Sequence, residues 1–253
     1  MPELNRANRQ VCDVDIRILK TMKPFLKFDT ANTTTAGLSS DSVYAMAKGS
    51  RRIAFPNPLE GTMTIEAQVY PFKFFALLSN GEIATDAAYA ATQTVTATDG
   101  ALEITLPDGG SIVAGTVFVY PKDSFGDEEA LIEGTWAENK FTAESGITAG
   151  EEYTIGYVVS RTKGVKRISF NNKNLPKDYF ITMQTLDKDE QGMFTPFVMT
   201  AYKATIQRSF ELSFTSEGDP ASVTLTFDLM EDKDGRIFDM VELTDDVEGE
   251  SEE

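Results

Sequence analysis

Two short acidic runs are the first places in this sequence where chemistry could reside. Asp187, Asp189 and Glu190 lie in DKDEQG, and Asp232 and Asp234 lie in EDKDG. Alternating carboxylates ahead of a glycine resemble a calcium loop, which needs glycine at its sixth position and a bidentate acid at its twelfth. With Gly192 as the sixth residue, the twelfth is Val198. With Gly235 as the sixth, the first is Met230 and the twelfth is Val241. Neither run completes the pattern, and both read as hairpin turns. A pair of carboxylates could also act as acid and base in glycoside hydrolysis. Glu66, on a strand, has no acid two residues to either side.

Nothing else supplies a reaction. The chain has no histidine, which removes Ser-His-Asp and Cys-His catalysis and histidine-ligated zinc. Cys12 is the one cysteine, so neither an intrachain disulfide nor a cysteine metal cluster can form. That count fits a reducing compartment. No glycine-rich phosphate loop is present. The expectation is a protein that is not an enzyme and takes no cofactor. Arg51, Arg52, Lys166 and Arg167 could form a small basic patch that pairs with an acidic neighbour.

The elements behind these residues are mainly strands. The 253 residues are 41% hydrophobic, enough for one or two packed domains. In Gly61–Tyr70, Met63, Ile65, Ala67 and Val69 alternate with Thr62, Thr64, Glu66 and Gln68, a half-buried strand. Val223–Leu229 alternates likewise, with Thr224, Thr226 and Asp228 on its polar side, and so does Ser209–Phe214. Further strands are expected at Val14–Ile18, Val43–Ala47, Arg51–Phe55, Tyr153–Ser160, Lys166–Phe170, Tyr179–Thr185 and Phe197–Ile206. One short helix is expected over Pro71–Leu78, with proline in its first turn and Asn80-Gly81 as its stop. Thr30–Ser42 reads as a long polar loop, and Asp123–Glu129 as an acidic turn.

Charge divides the chain. The net charge is −17. Residues 1–81 carry +3 and residues 152–230 carry zero, whereas 82–151 carry −11 and 231–253 carry −9. The step predicts a discontinuous core domain of residues 1–83 and 151–243, an inserted small β-sandwich of residues 84–150 and an acidic disordered tail, 244–253. Short strands with Asp-Gly turns and a single Trp, Trp136, give the insert an immunoglobulin-like grammar without the cysteine pair. Gly49–Phe55 (GSRRIAF) and Gly164–Phe170 (GVKRISF) share G-x-[RK]-R-I-[AS]-F, which suggests one quasi-repeated sheet element on either side of the insert. The acidity argues against nucleic-acid binding. The N-terminal twenty residues lack the apolar stretch of a signal peptide, and no run is long and apolar enough to span a membrane.

Two stretches carry a family resemblance. They are Phe28–Ser79, FDTANTTTAGLSSDSVYAMAKGSRRIAFPNPLEGTMTIEAQVYPFKFFALLS, and Gly164–Gly235, in which S-x-E-G-D-P precedes the alternating strand up to Leu229. In this order around a variable insert, they resemble the tail tube (major tail) proteins of tailed bacteriophages. The resemblance implies a tail-tube-like two-sheet β-sandwich or barrel with one short flanking helix. It implies subunits in hexameric rings that stack into a DNA-conducting channel. Thr62, Thr64, Glu66 and Gln68, with Thr224, Thr226 and Asp228 as second choice, are then candidates to line the lumen. Thr30, Asn32, Thr33, Thr34, Thr35, Leu38, Ser39 and Ser40 are candidates for a loop reaching the next ring. Arg51, Arg52, Lys166 and Arg167 are candidates for ion pairs between subunits.

The partners implied are other copies of the chain, the initiator or baseplate, terminator and tape-measure proteins, and a sheath where the tail has one. Genomic DNA would pass without specific binding, and no membrane is involved. The protein would reside in the virion tail after assembly in the host bacterial cytoplasm. A bulky insert favours a flexible, non-contractile tail. The competing readings are a capsid decoration or tail terminator protein, an immunoglobulin-like surface-binding module, and a carbohydrate-active enzyme.

Overall fold

The computed structural model describes residues 5–79, 82–209, 211–212, 216–218 and 220–243. The protein is mainly β, with antiparallel sheets and one short α-helix. In chain order the strands begin with β1 (Arg6–Asn8), β2 (Asp13–Ile18), β3 (Pro24–Phe28) and β4 (Thr33–Ser39). Next come β5 (Ser42–Ala47), β6 (Ser50–Pro56), β7 (Glu60–Ala67) and helix α1 (Phe74–Ser79). The run β8 (Ala87–Thr96), β9 (Ala101–Glu103), β10 (Gly110–Ile112), β11 (Phe118–Pro121), β12 (Gly134–Ala137), β13 (Lys140–Ala143) and β14 (Glu152–Arg161) follows. The chain closes with β15 (Asp178–Asp189), β16 (Phe194–Ile206), β17 (Val223–Leu229) and β18 (Phe238–Glu242).

These elements form two compact units, one from residues up to Glu82 together with those from Phe170 on, the other from Ile83 to Ser169. The second unit extends past Gly150 because β14 belongs to it. The alternation of Tyr153–Ser160 is that of a strand, as expected, but its partners β8, β10 and β11 all lie in residues 87–121. Charge composition marked the acidic stretch and missed the near-neutral strand that completes its sheet.

In the first unit a nine-stranded sheet runs β3-β2-β15-β16-β17-β7-β4, with β1 on β15 and β18 on β16. Period-two alternation puts Val14, Ile16, Met63, Ile65, Tyr179, Ile181, Met183, Leu225 and Phe227 on one buried face. Against that face packs α1, through Phe74, Leu77 and Leu78. The Phe74 ring lies 5.4 Å from that of Phe28. Too short to be stable alone, the helix exists as a lid on this core. It begins three residues after Pro71, whose carbonyl accepts from Phe74 N at 2.8 Å. The sheet curls until strands near its opposite ends meet: Cys12 N donates to Thr34 Oγ1 at 3.2 Å. One sheet thus serves as both walls of a sandwich. Tyr179 is fully buried among these side chains, and its hydroxyl has no hydrogen-bond partner among the described residues.

The second unit is a small β-sandwich. A four-stranded sheet of β8, β14, β10 and β11 faces a three-stranded sheet β12-β13-β9. Leu102, Val119, Phe141, Tyr153 and Ile155 fill the space between them. Gly134 approaches the backbone of Thr142 so closely that a Cβ there would lie 2.4 Å from its carbonyl oxygen.

Three sequence expectations change. Thr30–Ser42 is not a loop: residues 33–39 form β4, paired along its length with β7. Threonine-rich segments suit a half-exposed strand, and the polarity hid it. Lys166–Phe170 is not a strand; it makes one isolated bridge, Ala84 with Arg167. The two G-x-[RK]-R-I-[AS]-F segments therefore have different structures, the first entering β6 and the second lying in extended chain of the other unit through Ser169. The Ser209–Phe214 alternation falls partly outside the described residues, at Phe210, Ser213 and Phe214, and so does the acidic segment 244–253.

Candidate functional site

The polar face of the nine-stranded sheet brings both expected lumen sets together. Ladder register aligns Thr224 with Glu66 and Thr33, Thr226 with Thr64 and Thr35, and Asp228 with Thr62 and Gly37. Thr62, Thr64, Glu66, Thr224, Thr226 and Asp228 thus share one surface, joined by a 3.5 Å contact between Thr64 Oγ1 and Thr226 Oγ1. Gln68 lies just beyond β7 and exchanges hydrogen bonds with Asn32. The face continues through Thr205, opposite Asp228, to Asp178, Thr182 and Asp15. Asp228 accepts from Gln207 Nε2 at 2.7 Å, and Asp178 from Thr205 Oγ1 at 2.7 Å. The threonine hydroxyls and carboxylates are held in a fixed register on this face, which also carries Phe180, Arg17 and Lys27.

The residues expected to reach another ring lie along β7 and its flanks. Thr33, Thr34, Thr35, Leu38 and Ser39 are in β4. Thr30 Oγ1 donates to the Val69 carbonyl, Asn32 N to the Glu66 carbonyl, and Ser40 Oγ to the Asn57 carbonyl.

What projects is the next segment. The β4–β7 ladder ends at Ser39 opposite Glu60, and the β5–β6 ladder begins at Ser42 opposite Pro56. Between them the chain is pinned by Asn57 N donating to the Asp41 carbonyl at 2.8 Å. Thr33–Ala67 is therefore one long hairpin interrupted midway, whose outer half pairs with no other strand among the described residues. Its turn, Lys48-Gly49, has φ of 53° and 78°, the positive values that a two-residue hairpin turn matched to strand twist requires. Val43 pairs with Phe55, and Ala45 with Ile53, on one face. Val43, Ile53 and Phe55 are 61%, 57% and 57% exposed. Sequence alternation identified both strands but could not show that their apolar face lacks a cover.

The four candidate cations divide. Arg51 and Arg52 sit on β6, and Arg51 stacks over the Tyr44 ring at 4.3 Å. Neither forms an ion pair among the described residues. Arg167 is engaged inside the second unit, bridging Asp86 at 2.9 Å and donating to Ser169 Oγ at 2.8 Å. Lys166, its exposed neighbour, also lies in that unit.

The two acidic runs are turns stabilised by their own carboxylates. Asp189 Oδ1 accepts from the backbone N–H groups of Gln191 and Met193. Asp232 Oδ1 accepts from those of Asp234 and Arg236, while its Oδ2 bridges the Arg236 guanidinium at 2.8 Å. Desolvation pushes the Asp232 carboxyl up, but the hydrogen bonds and charge of Arg236 outweigh it and hold the pKa below the ordinary value. Arg236 also stacks over Tyr202 at 4.0 Å, whose hydroxyl donates to Asp239. That bond to a carboxylate, with some desolvation, pushes the phenol up. Among the described residues no group of three acidic or cysteine side chains is arranged to hold a metal ion.

The candidate surfaces are thus a polar sheet face and a hairpin whose apolar face is exposed. No curated protein matches the chain. A family model matches residues 9–243, which spans both compact units. The chain belongs to the YomU/Tube protein family, a phage tube-like family.

Proposed function

We propose that the chain is the tube subunit of a phage tail, which self-assembles into hexameric rings that stack around a DNA-conducting channel. The observation that carries the reading is the outer half of the interrupted hairpin, β5–β6. Two strands alone are marginally stable in water, and this pair exposes valine, isoleucine and phenylalanine on one face. Such a face is maintained because another copy covers it.

The polar face of the nine-stranded sheet suits a lumen. Asp13, Asp15, Asp178, Asp228 and Glu66 share it with Arg17 and Lys27. The excess of carboxylates repels phosphate and leaves DNA free to slide. Its partners would be itself and the other tail proteins, and it needs neither catalysis nor a cofactor. The second unit would serve as an accessory module.

Negative-stain electron microscopy of the purified full chain, over a range of concentration and salt, tests the proposal. Six-fold rings or tubes with a central channel are the expected result. Monodisperse monomer under every condition, including after mixing with preformed tail tips, would refute it.

A further inference from the structure

The uncovered hairpin has a matching receptor on the same fold. Strands β17 and β18 both pair with the long strand β16, at different stretches along it. They leave an apolar cleft lined by Ala36, Gly37, Leu38, Leu229, Phe238 and Met240, of about 190 Å³. One wall closes where Leu38 and Leu229 meet over Gly61, on which a Cβ would lie 2.9 Å from Leu38 Cδ2. Leu38 and Met240 are 45% and 66% exposed. A dry apolar cavity of roughly 150 Å³ accepts a benzene ring, so this cleft has room for a phenyl or sec-butyl side chain.

Charge matches as well. Residues 42–56 carry three cations, Lys48, Arg51 and Arg52, and no anion. Residues 231–243, which hold β18, carry five carboxylates; Asp232 and Asp234 pair with Arg236 and Glu242 with Arg6, and the segment with these partners stays net negative. The hairpin cannot fill its own cleft. It leaves β4 two residues beyond Leu38, and that junction is fixed by the Asp41–Asn57 and Ser40–Asn57 hydrogen bonds. From there six residues of strand extend about 20 Å.

We infer that the Val43–Ala45–Ile53–Phe55 face of one copy docks in the Leu38–Leu229–Phe238–Met240 cleft of a second copy. This rests on the reading of the chain as a self-assembling subunit, and it names the surfaces. Because donor and receptor differ, the contact is head-to-tail: it closes as a ring or propagates as a filament.

Variants that each add one cysteine, mixed in pairs, test the docking. Full-length Ile53→Cys and Met240→Cys chains are mixed, oxidised and separated without reductant, with the joined peptides identified by mass. Cys12 is buried and stays in place. Juxtaposition raises the effective thiol concentration into the millimolar range. The 53–240 heterodimer should therefore exceed, by roughly 10²-fold, the product from Leu175→Cys mixed with Met240→Cys at about 10 μM. Leu175 is 79% exposed and outside the cleft. A chain carrying both Ile53→Cys and Met240→Cys should give a ladder of multimers. Closure of that double variant only within single chains would overturn the inference. So would rings or tubes seen by microscopy in a sample without 53–240 product, an outcome that leaves the tube reading intact. Absence of any assembly by microscopy would overturn both.

Discussion

Replacing Val43, Ile53 and Phe55 together by serine should separate folding from assembly. Each side chain is more than half exposed, so each offers roughly 100 Å² of apolar surface to a partner, about 300 Å² in all. At roughly 25 cal/mol per Å², that is about 7 kcal/mol of gross stabilisation per docked hairpin. Even after the losses of association are subtracted, its removal should raise the concentration needed for assembly by more than about a thousandfold. The isolated subunit should barely respond, because exposed substitutions typically change stability by no more than about 0.5 kcal/mol. Two assays read the two effects: sedimentation or light scattering against concentration for assembly, and calorimetry of the dilute monomer for folding. A subunit whose Tm falls by more than about 5 °C has these side chains buried within one chain. A triple variant that assembles at the wild-type concentration shows that the face covers nothing. Either result would refute the reasoning.

Excision of residues 83–169, with a short Gly-Ser bridge, should leave the first unit folded and assembling, whereas excision of 84–150 should give aggregates. The shorter cut removes every partner of β14 and leaves ten residues of orphan strand; circular dichroism and solubility report the difference. Gly61→Val should destabilise by about 1–3 kcal/mol, measured by urea titration, because its Cβ meets Leu38 and Leu229 at 2.9 and 3.0 Å. Alkali should destabilise the first unit. Burial raises Tyr179 from 10.0 to about 12, so its contribution is intact below pH 10 and declines above it as the unfolded phenol ionises. About 2–3 kcal/mol should be gone by pH 12, with phenolate absorbance and unfolding rising together.

Local pattern was legible where one face of a strand is buried. Val223–Leu229 and Gly61–Ala67 alternate cleanly because one side meets the core, and that alternation also identified their polar residues. The sequence could not reveal that these two polar rows are adjacent, since strand order is a long-range property: β17 pairs with β7 across more than 150 residues. β4 escaped detection because only Thr34 and Ala36 are half-buried and the rest of the strand is exposed, so its residues barely alternate in hydropathy. The repeat at Gly49 and Gly164 misled because seven similar residues took their structures from their neighbours. In the first, Lys48-Gly49 reverses the chain and supplies β5 as a partner; in the second, no adjacent strand is available. Charge exposed the insert but not its end, since β14 is near-neutral and lies beyond the acidic run. The receptor cleft had no sequence signal at all. Its walls join β4, near the start of the chain, to β17 and β18, near its end.

The break in the long hairpin has a mechanical meaning. A continuous four-ended ladder from Thr33 to Ala67 would act as a stiff beam, and any tilt of its tip would strain every rung. Here the rungs stop at Ser39–Glu60 and restart at Ser42–Pro56, with the Asn57–Asp41 bond as the backbone tie between them. A small tilt of the tip would thereby be taken up at the tied junction while both ladders stay intact. In the proposed assembly, such struts would let neighbouring copies tilt slightly while their spacing is kept, as rigid links do.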